Sequence, residues 1–188
     1  MFEPKRAEDS VGLATFEKFA EDPNFTHLIL CPLQVQTDTQ ILLYSPLLQS
    51  MQSLVDAVSG AVHRYNRSHG ANACVLFKLH PMDTRTVVCN DDLAAVIAAP
   101  SVRDILAKRC DLVITVNSTV GIEAIEAGVP VVTTGQAFYN FQGVVSGHCR
   151  NLADLPELIH SALRPTGNRE RQLRQAFIRQ LRGKYQIK

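Results

Sequence analysis

Asp111-Leu-Val-Ile-Thr-Val-Asn-Ser-Thr-Val-Gly-Ile-Glu-Ala-Ile-Glu-Ala-Gly-Val-Pro130 is the stretch on which the fold turns. Its first six residues are an almost unbroken apolar run, the pattern of a strand buried on both faces. Residues 111–116 therefore read as a strand, followed at once by an Asn117-Ser118-Thr119 turn. Residues 119–127 read as a helix closed by Gly128, and residues 130–134 as the next strand. A strand, a tight turn, a helix and another strand in so few residues make a crossover unit of a parallel sheet.

The same alternation runs outward. Toward the N-terminus, residues 73–79 form an apolar run ending at His80-Pro81, and residues 26–33 form another. Between them lies the clearest helix, residues 47–66, where Leu47, Met51, Leu54, Val55, Val58, Val62 and Tyr65 recur at three- and four-residue steps. Ser68-His69-Gly70 stops it, Gly70 suiting a left-handed C-terminal position. Residues 91–109 read as helical with a break at Pro100-Ser101, and residues 10–21 as a short amphipathic helix ended by Asp22-Pro23-Asn24. Residues 152–163 and 168–182 read as closing helices. The fold class is α/β: a parallel sheet flanked by helices on both faces. The organisation divides into a helical lead of residues 1–25, a ligand-binding domain over 26–165, and a basic helical tail over 166–188.

At 188 residues the chain holds one well-buried core. A formal charge of +1 gives no general attraction for nucleic acid. The five cysteines are widely spaced with no Cys-x-x-Cys pair, which removes zinc-knuckle and thioredoxin-like readings and suits a reduced, cytoplasmic protein. Met1-Phe2-Glu3-Pro4-Lys5-Arg6 lacks an apolar region behind its charges, so no signal peptide is expected. No apolar stretch reaches the roughly 20 residues of a membrane span, which leaves a soluble or peripheral protein. Phosphate-binding Gly-x-Gly-x-x-Gly, P-loop and Gly-x-Ser-x-Gly patterns are missing. His27, His63, His69, His148 and His160 show no metal-ligand spacing, so no metal is expected.

Parallel sheets bind ligands at the carboxyl ends of their strands. Four polar or glycine-containing segments occupy such ends: residues 34–40, 78–81, 117–123 and 135–139. At the third, Asn117, Ser118 and Thr119 would present backbone N–H groups and hydroxyls to a phosphate at a helix start, Gly121 would let the ligand approach, and Glu123 would accept from ribose hydroxyls. Plain helix capping by Ser118 or Thr119 is the alternative. At the second, His80 would stabilise charge on a departing phosphate, Lys78 shares its facing parity and Pro81 ends the ladder; a structural histidine is the alternative. In the first, Asp38 is a nucleophile, a base, a sugar-hydroxyl acceptor or an Asx-turn residue, with Gln34 and Gln40 as hydroxyl binders. In the fourth, Phe138 and Tyr139 either wall a base or sugar pocket or belong to the core. An imidazole at one strand tip and a hydroxyl-lined helix start at its neighbour are expected to meet over a single phosphate.

These segments, Pro32-Leu-Gln-Val-Gln-Thr-Asp-Thr-Gln40, Lys78-Leu-His-Pro81, Asn117-Ser-Thr-Val-Gly-Ile-Glu123 and Gly135-Gln-Ala-Phe-Tyr139, resemble in order those of the bacterial capsule polysaccharide biosynthesis family over roughly residues 26–165. The resemblance implies a GT-B glycosyltransferase with two Rossmann-like halves, of which this chain has room for the carboxyl, donor-binding one. It implies CMP-Kdo as donor, a lipid-linked acceptor, and no metal or other cofactor. Carried over by position, His80, Ser118 and Thr119 would hold the CMP phosphate, Glu123 the nucleoside, and Gln34 and Asp38 the transferred sugar, with Asp38 and His80 catalytic. The partners implied are an amino-terminal half or capsule assembly and export proteins. Arg164, Arg169, Arg171, Arg174, Arg179, Arg182, Lys184 and Lys188, with Leu173, Phe177, Ile178 and Leu181, would rest on the inner membrane's anionic cytoplasmic face or pack on that other half. Two other readings share the pattern: a non-hydrolysing nucleotide-sugar 2-epimerase, whose Ser-Gly-Gly turn is missing here, and a non-catalytic nucleotide-sugar or partner-binding module.

Overall fold

The computed structural model describes residues 4–35, 45–83 and 87–185. Among the described residues six parallel strands form one sheet in the order β3-β2-β1-β4-β5-β6. They are β1 (His27–Pro32), β2 (Ala73–Lys78), β3 (Ala94–Ile97), β4 (Leu112–Thr115), β5 (Val131–Thr133) and β6 (Gly147–His148). Among the described residues the α-helices are α1 (Pro4–Glu21), α2 (Met51–His69), α3 (Val102–Lys108), α4 (Val120–Glu126), α5 (Leu155–Ala162) and α6 (Asn168–Tyr185).

Alternate residues of each strand feed two separate cores, as the period-two geometry of a strand requires. Ile29, Val75, Phe77, Leu112, Ile114 and Val132 pack under α2 and α5. Leu28, Leu30, Cys74, Leu76, Val113 and Val131 pack on the other face with Phe16 and Phe19 of α1, Ile105 of α3 and Ala124 and Ile125 of α4. Each fully buried leucine or isoleucine contributes roughly 1.5–3 kcal/mol of transfer free energy, so the two-sided runs are what hold the sheet. Phe177 and Ile178 of α6 join the second core at its margin.

Two local signals act as the sequence implies. Ser50 caps α2 in a reciprocal box with Ser53, and Gly70 ends the helix at φ 60°, a conformation costly for any residue with a Cβ. The lead helix is longer than residues 10–21 and is tied to the sheet by Arg109, which donates to the carbonyls of Ala20 at 2.7 Å and Phe25 at 2.5 Å.

The expected helix over 91–109 is corrected: its first part is strand β3, and only Val102–Lys108 is helical. Ala94, Ala95, Val96 and Ile97 pair with Val75 to Lys78. The ladder hydrogen bonds and the burial of Ala94 and Ile97 outweigh the helical preference of the alanines.

Candidate functional site

Strand register places the polar strand ends. Across β1–β2, Pro32 pairs with Lys78; across β1–β4, Leu30 pairs with Val113; across β4–β5, Thr115 pairs with Thr133. Counting onward from these pairs, His80, Gln34, Asn117 and Gly135 fall in one row across the carboxyl edge of four adjacent strands. Gln34, 7% exposed, is the hinge of that row. Its Nε2 donates to Asn117 Oδ1 at 3.0 Å, and its Oε1 accepts from the Asn117 backbone N–H at 3.4 Å. This reciprocal pair locks the end of β1 to the end of β4.

His80 and Ser118 do not stand on neighbouring strands, which corrects the expectation of a single shared phosphate. β1 runs between β2 and β4, so two inter-strand steps, about 10 Å, separate the tips. One phosphate cannot bridge that gap by direct hydrogen bonds. His80 instead lines a cleft of about 610 Å³ with Lys78, Pro81 and Asp83, closed by Ser10 and Leu13 of α1 and by residues 98–101. Lys78 is 7% exposed and its Nζ donates to the Leu79 carbonyl at 3.0 Å. His80 Nδ1 accepts from the Met82 N–H at 3.1 Å, which leaves Nε2 as the ring nitrogen that carries a proton in the neutral imidazole.

The turn before α4 is braced from behind. Ser118 Oγ accepts from the Val120 N–H at 3.3 Å, and the Ser118 N–H donates to Thr115 Oγ1 at 3.3 Å. The Ser118 carbonyl accepts from the Gly121 N–H at 3.0 Å and from the Tyr139 hydroxyl. Ser118 thus serves the helix, whereas Thr119, the N-cap residue, makes no side-chain cap hydrogen bond and is exposed. Glu123 is exposed one turn further on.

Two site residues are corrected here. Gly121 is buried, and a Cβ on it would lie 2.7 Å and 2.8 Å from ring carbons of Tyr139. It makes room for a tyrosine and not for a ligand. Tyr139 is fully buried, and burial pushes its phenol well above the ordinary range, so it is an uncharged brace and does not wall a pocket. Phe138 is the exposed member of that pair. Asp38 and Gln40 lie outside the described residues.

The sequence model of the family described as capsule polysaccharide biosynthesis protein matches residues 4–188. The chain belongs to that family. Within 119 aligned residues it is 31% identical to FixF of Sinorhizobium fredii, covering 62% of this chain and 28% of FixF. Thermosulfurimonas dismutans KpsC, a beta Kdo 2,7 transferase, superposes with a TM-score of 0.54 at 23% identity, covering 83% of this chain and 53% of that one. The spinosyn rhamnosyltransferase SpnG gives 0.56 at 16% identity, covering 88% and 47%. At these identities the solved structures establish the fold alone, that of one half of a GT-B architecture. The capsule family chain spans about half the length of those structures and 28% of FixF.

A polar cluster at the same edge of this capsule family fold carried no sequence signal. His148 Nδ1 lies 3.0 Å from Thr133 Oγ1, which donates to Asn140 Oδ1 at 2.7 Å; Asn140 Nδ2 donates to the Gly135 carbonyl at 3.0 Å. The cluster fixes the loop between β5 and β6 on which Tyr139 sits. Burial first, and then the Arg150 charge, hold the His148 pKa below the ordinary histidine value. Among the described residues, no three histidine, cysteine or carboxylate side chains converge to hold a metal, and no helix is long and apolar enough to cross a membrane.

Proposed function

We propose that the chain is the donor-binding half of a capsule glycosyltransferase, that its donor is CMP-Kdo, and that the acceptor is lipid-linked. The observation that carries this reading is the row His80–Gln34–Asn117 across the carboxyl edge of a glycosyltransferase-type sheet, in a chain of the capsule family. The Kdo transferase activity of the structurally similar KpsC supports the choice of donor.

The 10 Å between His80 and Ser118 suits a donor spanning several groups. In this reading the hydroxyl of the exposed Thr119 takes the phosphate, and Glu123 takes ribose hydroxyls. His80 and Lys78, about 10 Å away, lie toward the acidic sugar, whose carboxylate the Lys78 ammonium complements in charge. Gln34 sits between the two ends, and Asp38, in the segment after β1, is the candidate catalytic carboxylate. In the transfer the bond from the sugar's anomeric carbon to the phosphate oxygen breaks with its electron pair on CMP, and the acceptor hydroxyl bonds to that carbon while losing its proton to a base. Such a donor needs no metal to release CMP.

Calorimetric titration and thermal shift with CMP and UDP test the reading. CMP at a hundredfold excess over its dissociation constant would stabilise the chain by about 2.7 kcal/mol. Glu123→Ala would weaken binding of both CMP and CMP-Kdo, and His80→Ala that of CMP-Kdo, while the chain stays folded. Stabilisation by UDP alone would point to an epimerase, and no response to either nucleotide to an interaction module; both outcomes would sink the proposal.

A further inference from the structure

At the amino end of the sheet, opposite the proposed donor site, α4 and α6 enclose a cleft of about 640 Å³. Arg171, Arg174, Arg179 and Arg182 line it, and among the described residues Glu126 is the sole carboxylate in its walls. That carboxylate is already paired with Arg182. The chain as a whole carries only +1, so the positive charge is gathered here locally. Arg171 and Arg179 are two helical turns apart, as are Arg174 and Arg182, so α6 sets two stripes of guanidinium along one groove.

Arg174 separates this cleft from an ordinary solvated basic face. It is 6% exposed. Its Nε donates to the Val144 carbonyl at 3.1 Å, and one terminal nitrogen donates to Ser146 Oγ at 2.9 Å; both partners are neutral. Among the described residues no carboxylate lies within ion-pairing reach of it. Glu170, the nearby acid on the same helix, accepts from the Gly167 N–H at 3.1 Å. Burial pulls the guanidinium pKa below its usual value, as expected of a cation whose charge is incompletely matched. Buried charges are normally paired. The carbonyl end of α4 adds about half a negative charge to the cleft, too little to balance the surplus arginines.

We propose that the cleft between α4 and α6 is a second ligand site, separate from the donor site, that takes a phosphate group. Arginine's planar fork matches phosphate oxygens two at a time, and the Ile125 and Ile178 side chains among the walls give the remainder of the ligand an apolar floor. The phosphate comes either from a soluble phosphoester or from a phospholipid headgroup.

The test uses the full chain with pyrophosphate as the soluble probe and phosphatidylcholine vesicles containing phosphatidic acid as the lipid probe. Arg174→Gln risks unfolding the contact with residues 144–146, so the informative variant is Arg171→Gln with Arg179→Gln, both exposed. Its thermal midpoint is expected to match the parent's, and its affinity for pyrophosphate to fall roughly tenfold or more, the scale of a lost charge-assisted hydrogen bond. Vesicle co-sedimentation lost in the same variant, without pyrophosphate binding, supports the site with a headgroup as its ligand. If neither probe binds, or the double variant binds both as tightly as the parent, the proposal fails. It fails equally if CMP displaces the pyrophosphate while loss of the arginine pair leaves its binding unchanged.

Discussion

Replacing Gly121 with alanine separates two roles for one residue. If the glycine admits a ligand, Gly121→Ala lowers nucleotide affinity and leaves stability untouched or slightly improved, because alanine is favoured over glycine in a helix by about 1 kcal/mol. The structure gives the glycine a different neighbour. The new methyl would stand 2.7–2.8 Å from ring carbons of Tyr139, closer than side-chain carbons approach one another, and this ring is fully buried and anchored by its hydroxyl to the Ser118 carbonyl. Overpacking of this kind costs about 1–3 kcal/mol, and displacing the hydroxyl costs about another 1 kcal/mol. Set against the helical gain, the net is about 2 kcal/mol of destabilisation. For a chain of this length that is a fall of about 4–8 °C in Tm, measurable by circular dichroism melts and by urea titration. Adding Tyr139→Phe, which removes the hydroxyl nearest the new methyl, should recover part of the loss, so the two substitutions would be coupled. A Gly121→Ala protein as stable as the parent would refute the packing argument.

Gln34→Ala removes both hydrogen bonds by which the end of β1 holds Asn117 at the end of β4. The expected cost is about 1–3 kcal/mol in urea unfolding, together with weaker nucleotide binding by calorimetry. The lowered pKa of His148 fixes a pH trend. Its neutral form is favoured in the folded state, so its contribution is complete above the unfolded value of 6.5 and is lost as the pH falls through the lower folded value. Thermal melts from pH 7.5 down to 5 should show this decline, and His148→Gln should flatten it.

The sequence revealed the fold where residues are buried on both faces. Residues 26–33, 73–79, 111–116 and 130–134 could be nothing but interior strands, and each lies within a residue or two of an observed one. β3 was hidden because Leu-Ala-Ala-Val-Ile-Ala-Ala is as good a helix as a strand, and only its partner β2 decides between them. β6 has two residues, too few for any period. The site's membership was legible from strand ends, but its spacing was not, because chain order does not say which strand lies between β2 and β4. Gly121 and Tyr139 show the same limit: nothing local says that a glycine at a helix start is shaped by a tyrosine eighteen positions later.

The position of β1 carries a consequence for synthesis. It is an interior strand with one neighbour supplied by residues 73–78 and the other by residues 112–115, and Asp111 receives the Leu28 N–H at 2.8 Å to close the join. While the chain emerges from a ribosome, the second edge of that strand stays open until more than eighty further residues have been made. Pairings of such long sequence separation form slowly, and an uncovered apolar strand is a sticky one. The nascent chain is therefore most exposed to aggregation, and most in need of a chaperone, during the interval between those two closures.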